Sequence, residues 1–410
     1  TFGTNMPGAG LSVTNGAVVS MVGGHVNDNT VANGWGGGIR VLSASLTLDS
    51  VTVRGNRVLV GPGGGGIMME GTTSTATLSR LTVAENTTPG QGGGMWFRNL
   101  PVTLSNSTIS DNTANQNGGG YVAENVASFT STATAVSGNT GLGGGGIYLS
   151  GSTVGTFTGG SISDNRSNGT GAGVFMNNTS RAQFTNVTVN GNETLGTSPA
   201  GGFHVAAGTE LTMLNSTVHN NRAKQNWGGG IYANGGTVTL TDVTVRDNVA
   251  DSITFGGGIS VQNGGDLAMT RGSVRNNRSV GGGGGGVMVS TASAVLTDVE
   301  LVGNAGVFNG GGMQIFGAST VTLNNVTVRR NTTAGNGGGI SVQSTSTLAV
   351  NGGIVDSNRV TGTNAVGGGI AKLETVALTV IGTRVHYNCA DLEGGGVDIV
   401  EGPDEVGELA

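Results

Sequence analysis

Hydrophobic and polar residues alternate along this chain in short runs. Between Ile39 and Asn56, Ile39 and Val41 flank Arg40, Leu46 and Leu48 flank Thr47, and Val51 and Val53 flank Thr52. A period of two turns one face of each run toward a core and predicts three short β-strands. Asp49-Ser50 predicts the bend between the second and third strands, and Asn56 with the glycines after it predicts a wide turn. No window of ten or more residues carries the 3.6-residue period of an amphipathic helix.

The unit repeats. A glycine block followed by an apolar residue recurs at Leu11, Ile39, Ile67, Met95, Tyr121, Ile147, Val174, Phe203, Ile231, Ile259, Val287, Met313, Ile340, Ile370 and Val397. Fourteen intervals cover 386 residues, a mean period of about 27.6, and each interval lies between 26 and 30. A second marker, an apolar residue followed three positions later by Asn, keeps step at Asn29, Asn56, Asn86, Asn112, Asn139, Asn165, Asn192, Asn221, Asn248, Asn277, Asn304, Asn331, Asn358 and Asn388, with Phe2 to Asn5 adding one more.

Two markers at one period predict a solenoid. The expected fold is all-β: a right-handed parallel β-helix of about 15 coils, ~27 residues each, with three short strands per coil. Residues 1–410 form a single solenoid with incomplete coils at both ends. At ~4.8 Å per coil the rod would be about 70 Å long. Like positions stack, so the aliphatic residues predict one continuous core. The Asn series predicts a structural ladder whose side chains satisfy backbone groups that no strand pairs. Leu48, Val51, Val53 and Asn56 also fit leucine-rich-repeat spacing. That architecture needs an apolar residue two positions past the Asn, where this chain has Val58, Thr88, Ala114 and Gly141.

Composition agrees. Glycine is 81 of 410 residues, charged residues are 10 % and aromatics 4 %. Glycine this abundant disfavours helices, and with only 6 prolines the chain is not collagen-like. A hydrophobic content of 36 % is too high for disorder. The single cysteine, Cys389, excludes an internal disulfide and reads as a small buried apolar residue. No apolar run reaches the ~18 residues of a spanning helix. No basic segment leads into an apolar one at the start, so no retained signal peptide is expected.

The motifs Gly36-Gly37-Gly38-Ile39 and Phe2-Gly3-Thr4-Asn5 resemble the GGxI and FxxN repeats of polymorphic outer-membrane protein autotransporter passengers. The glycine block here is mostly GGG rather than GGA, and Val or Ile mostly replaces Phe. The resemblance implies a secreted, bacterial-type passenger, extracellular or displayed at the cell surface.

Polysaccharide-cleaving β-helices need carboxylates some 5–10 Å apart, which is one or two coil steps. The position after the glycine-block strand begins carries no such acid pair, so no catalytic residue, cofactor or metal ligand is expected. That outward column instead reads Met68, Trp96, Val122, Tyr148, Phe175, His204 and Tyr232. Met68, Trp96, Tyr148, Phe175, His204 and Tyr232 form a candidate exposed strip for sugar rings or another protein. Its bland alternative is packing beneath long turns. The four histidines, His25, His204, His219 and His386, are scattered and read as solvent-facing.

Charge is uneven. Asp391, Glu393, Asp398, Glu401, Asp404, Glu405 and Glu408 make an acidic C-terminal segment, 391–410. Arg57, Arg166, Arg222, Arg278 and Arg359 each follow a ladder Asn and predict a broken guanidinium column, able to pair with Asp or with anionic glycans. No basic stripe suited to nucleic acid is present. Phe2, Asn5 and Leu11 at one end and Val397, Val406 and Leu409 at the other are candidate end-to-end contacts, since Asn5 of one copy would fall 18 residues after Val397 of another, the offset of Ile370 to Asn388. The leading expectation is a non-enzymatic structural or adhesive β-helix that self-associates head to tail. The alternative is a carbohydrate-binding or carbohydrate-cleaving β-helix that uses the aromatic strip.

Overall fold

The computed structural model describes residues 10–225, 227–251 and 255–400. The chain divides into two compact units, Thr1–Gly196 with Gly202–Leu211 and Thr197–Gly201 with Thr212–Ala410. Among the described residues there are strands and turns and no helix.

The first strand of each coil follows the glycine block. The first unit has eight, from Leu11–Thr14 to Phe203–Ala206, and the second has seven, from Ile231–Asn234 to Val397–Val400. They pair in parallel with like positions side by side: Ile39 beside Ile67, Met95 beside Tyr121, Ile259 beside Val287. The second and third strands, such as Ser45–Asp49 and Thr52–Arg54, share another parallel sheet. The bend between them is one residue in the left-handed region, for example Ser50 (φ 57°), Asn106 (φ 50°) and Asp298 (φ 55°). Asn and Asp tolerate this region better than most residues. In some coils the two strands run together, as in Val154–Ser163 and Asp266–Arg275.

The expected wide turn holds a further strand. Residues after the ladder Asn pair in parallel, Thr30 with Arg57 and Thr87 with Thr113 in the first unit, Arg222 with Val249 and Thr332 with Arg359 in the second. Most of these strands are only two residues long, such as Thr87–Thr88, too short to show alternation.

Inward positions build the core. Ile39, Val41, Leu46, Leu48, Val51 and Val53 are all buried, and equivalent residues follow in each coil. In the first unit the interior also holds an aromatic stack. Tyr121 lies 5.4 Å from Phe129, Phe129 lies 5.7 Å from Phe157, and Phe157 lies 4.3 Å from Phe184.

The Asn ladder closes the corner after the third strand. The Asn86 backbone N–H and Nδ2 donate to Asn112 Oδ1 at 3.0 and 2.9 Å, while Nδ2 also donates back to the Val53 carbonyl at 2.9 Å. Each amide thus ties its own coil to both neighbours. The chain of bonds runs from Asn29 through Asn56, Asn86, Asn112, Asn139 and Asn165 to Asn192 in the first unit. In the second it runs from Asn221 through Asn248, Asn277, Asn304, Asn331 and Asn358 to Asn388. These side chains are fully buried from Asn56 to Asn358. A buried polar group left without a partner costs about 1–3 kcal/mol.

Asn112→Ala removes the acceptor of the Asn86 N–H and the donor to the Val83 carbonyl. A loss of about 2–4 kcal/mol is expected in urea unfolding. Thr103→Ala, on the exposed face of the same coil, is expected to stay within about 0.5 kcal/mol.

Candidate functional site

The outward column of the first strand is not a surface. Met68, Trp96, Val122, Tyr148, His204 and Tyr232 are all buried, and Phe175 is half-buried. In the first unit Met68, Trp96, Val122 and Tyr148 form one apolar cluster, with Trp35 and Phe175 packed against it. The glycine corner covers the column. Its first glycine has positive φ and lies over the outward residue four positions on: a Cβ added at Gly64 would stand 2.6 Å from Met68 Cβ, one at Gly92 2.9 Å from Trp96 Cβ, and one at Gly228 2.7 Å from Tyr232 Cβ. The second and third glycines are equally constrained. A Cβ at Gly65 would stand 2.3 Å from the Gly93 carbonyl oxygen, and one at Gly66 2.5 Å from that of Gly94. The triplet therefore tolerates no side chain larger than a methyl group, as at Ala172 and at Ala200 (φ 73°).

Local contacts fix the buried strip. Tyr148 and Phe175 have ring centroids 5.2 Å apart, and Phe175 and His204 stack at 4.8 Å. Trp96 Nε1 donates to Glu124 Oε2 at 3.3 Å, and the Arg40 guanidinium lies 5.1 Å from the Trp35 ring centroid. In the second unit the Tyr232 ring lies 6.0 Å from that of Trp227. An exposed sugar-stacking platform is therefore not what these residues make. The signal for this was in the sequence, in the fixed four-residue offset between the first glycine of each triplet and the residue it covers. The Phe129, Phe157 and Phe184 stack faces the interior, where a period-two pattern marks the residues as core without showing that their rings meet.

Two further placements correct the expectations. His204 is buried rather than solvent-facing, with Nδ1 against the Thr170 hydroxyl. Burial lowers its pKa to about 4. Cys389 is exposed, because it sits in the column after the ladder Asn, beside Arg359, which faces outward. Asn-x-Ser/Thr motifs occur both at ladder rungs and at strand bends. Asn86, Asn165, Asn192 and Asn331 are buried ladder rungs, whereas Asn106, Asn186, Asn215 and Asn325 stand exposed at the strand bend.

Of the end residues, Leu11 pairs with Ile39 and Val397 with Ile370. Phe2, Asn5, Val406 and Leu409, with Glu401, Asp404, Glu405 and Glu408, lie outside the described residues. Asp398 is largely buried, and burial and then Glu393 hold its carboxyl above the usual range. Among the described residues no group of three His, Cys, Asp or Glu could hold a metal ion.

The corner around the ladder carries most of the remaining charge. It consists of the last residue of the third strand, a residue of positive φ and the residue after the ladder Asn. In the first unit this corner has three cations, Arg54, Arg57 and Arg166, against five anions, Asp28, Glu85, Asp111, Asp164 and Glu193. In the second it has seven, Arg222, Arg246, Arg275, Arg278, Arg329, Arg330 and Arg359, against Asp247 and Asp356. Arg246 pairs with Asp247, and Arg222 with Asp251.

The parallel strands, the stacked Asn rungs and the glycine corners define a β-helix. A family model described as right handed beta helix region matches residues 4–206, 102–305 and 201–404. The chain belongs to this family. No curated protein and no solved structure matches it. Family membership establishes the fold and assigns no chemistry.

His204 generates a pH prediction. Its folded pKa of about 4 lies below the unfolded value of about 6.5. The unfolded chain then takes up a proton that the folded chain refuses. Stability is expected to fall as pH drops from about 6.5 toward 4, by up to about 3 kcal/mol in all. An NMR titration in which the His204 ring stays neutral down to about pH 4 meets the expectation; protonation near the ordinary value contradicts it.

Proposed function

We propose that this protein is a non-enzymatic extracellular structural or adhesive β-helix whose copies assemble end to end. The observation that carries the reading is the polarity of the coil-to-coil contact. Every ladder Asn presents its Oδ1 to the preceding coil and its backbone N–H to the following one. The strand edges are polar in the same sense, and the register is free of slips at the core positions. The leading face of one coil therefore complements the trailing face of any other. A contact between unlike faces repeats without closing and generates a filament. The resemblance of the Gly36–Ile39 and Phe2–Asn5 motifs to polymorphic outer-membrane protein repeats supports surface display. The carbohydrate-cleaving alternative relied on an exposed aromatic strip, and those rings are packed beneath the glycine corners.

Sedimentation velocity over a wide concentration range, with negative-stain images of the same samples, tests the assembly. Species at integer multiples of 40.4 kDa and fibres of uniform width are expected. A strictly monomeric chain at the highest concentration overturns it, and specific products from a polysaccharide digest overturn the non-enzymatic assignment.

A further inference from the structure

We infer that the corner of the second unit is a docking edge for an acidic polysaccharide. The inference rests on the adhesive part of the reading above and names its ligand class. Two columns flank the ladder there. The column ending the third strand runs His219, Arg246, Arg275, Val302, Arg329 and Asp356. The column after the ladder runs Arg222, Val249, Arg278, Ala305, Thr332 and Arg359. Arg330 projects between them from a left-handed residue (φ 54°).

Five of the seven guanidiniums, on Arg275, Arg278, Arg329, Arg330 and Arg359, make no ion pair among the described residues. Arg275, Arg278, Arg330 and Arg359 are exposed, and the buried Nε of Arg329 has no hydrogen-bond partner. Several arginines elsewhere pair with acids of an adjacent coil, as do Arg80 with Asp49, Arg181 with Glu210 and Arg271 with Asp242. The acids near the edge are few. Asp247 is taken by Arg246, and Asp356, in register with Arg329, contacts His386 at 3.4 Å. Glu300 lies at the other end of its short strand segment, in register with Ser273 and Thr327. Like charges side by side on a sheet are destabilising, so the edge carries an unspent positive potential.

The chemistry selects the occupant. Guanidinium forks recognise sulfate and carboxylate groups in bidentate fashion. At ~4.8 Å per coil step, Arg275 and Arg329 stand two steps apart in one column and Arg278 and Arg359 three in the other, a line of charge that suits a linear chain carrying anions along its length. Tyr387, the most exposed large hydrophobic among the described residues at 83 %, stands at the same kind of corner, one coil past Arg359, with a ring face for a pyranose. Single-stranded nucleic acid needs a row of aromatic rings for successive bases, whereas this edge offers the single phenol ring of Tyr387.

The test titrates the full chain with a heparin oligosaccharide, neutral dextran and a single-stranded DNA of equal charge, at low and raised salt. Salt-sensitive binding of heparin and none of dextran is expected. A variant with Arg275, Arg278, Arg329, Arg330 and Arg359 all changed to Gln, shown to be folded by circular dichroism, is expected to bind at least about tenfold more weakly. Arg57→Gln with Arg166→Gln, on the first unit, is expected to leave binding unchanged. Arg275→Lys with Arg278→Lys keeps the charge and is expected to cost about threefold by loss of the planar fork. Equal binding by the five-Gln variant, absence of heparin binding, or DNA bound as tightly through the same residues each overturns the proposal. Filament formation is read separately by sedimentation, so either result can fail alone.

Discussion

A parallel β-helix has to satisfy the backbone at its corners as fully as along its strands. The strands do so by in-register pairing, but a chain that turns sharply removes N–H and C=O groups from any ladder. Here the amide of one Asn per coil takes over that task. Its side chain accepts from the coil before, its backbone N–H and side chain donate to the coil after, and its Nδ2 reaches the preceding strand carbonyl. The geometry is the same in each rung, so the corner becomes as regular as the sheets it joins. Stability then comes from nearest-neighbour terms, as in other stacked repeats.

The glycine triplet follows from the same close stacking. Corner backbones approach one another and the outward face of the first strand, so most of the three positions hold glycine and the rest alanine, as at Ala172 and Ala200. A second consequence is a small apolar layer outside the main core, where Met68, Trp96, Val122 and Tyr148 lie beneath the turns. Aromatic residues that look exposed from strand alternation thus contribute to cohesion. Charge faces water instead at the ladder corner, where the third strand ends.

Much of this was legible in the sequence. The alternation of Ile39 with Val41, Leu46 with Leu48 and Val51 with Val53 fixes which face each strand buries, and the constant spacing to Asn56 fixes the register. The ladder followed from one residue type recurring at one position. Other features depend on contacts between coils that a single repeat does not display. Period two says that Trp96 points away from the core, but not that Gly92 folds over it. Thr87–Thr88 is too short to reveal a strand by pattern, and only its neighbours Arg57 and Thr113 make it one. Cys389 was misjudged by residue type, because its column, and not its hydrophobicity, sets its exposure. The arginine edge was half visible. The residues after the ladder Asn mark one column, while Arg275 and Arg329 join it only when the third strand is set beside them.

The claim on which the rest depends is that ladder amides, rather than water, satisfy the corner. Native-state hydrogen exchange of the backbone amides of Asn86, Asn112 and Asn139 tests it most directly. These N–H groups are buried and bonded to side chains of the following rung. They are expected to exchange as slowly as the strand amides of Val83 and Ile109. Exchange as fast as that of an exposed turn amide such as Thr73 would contradict the account.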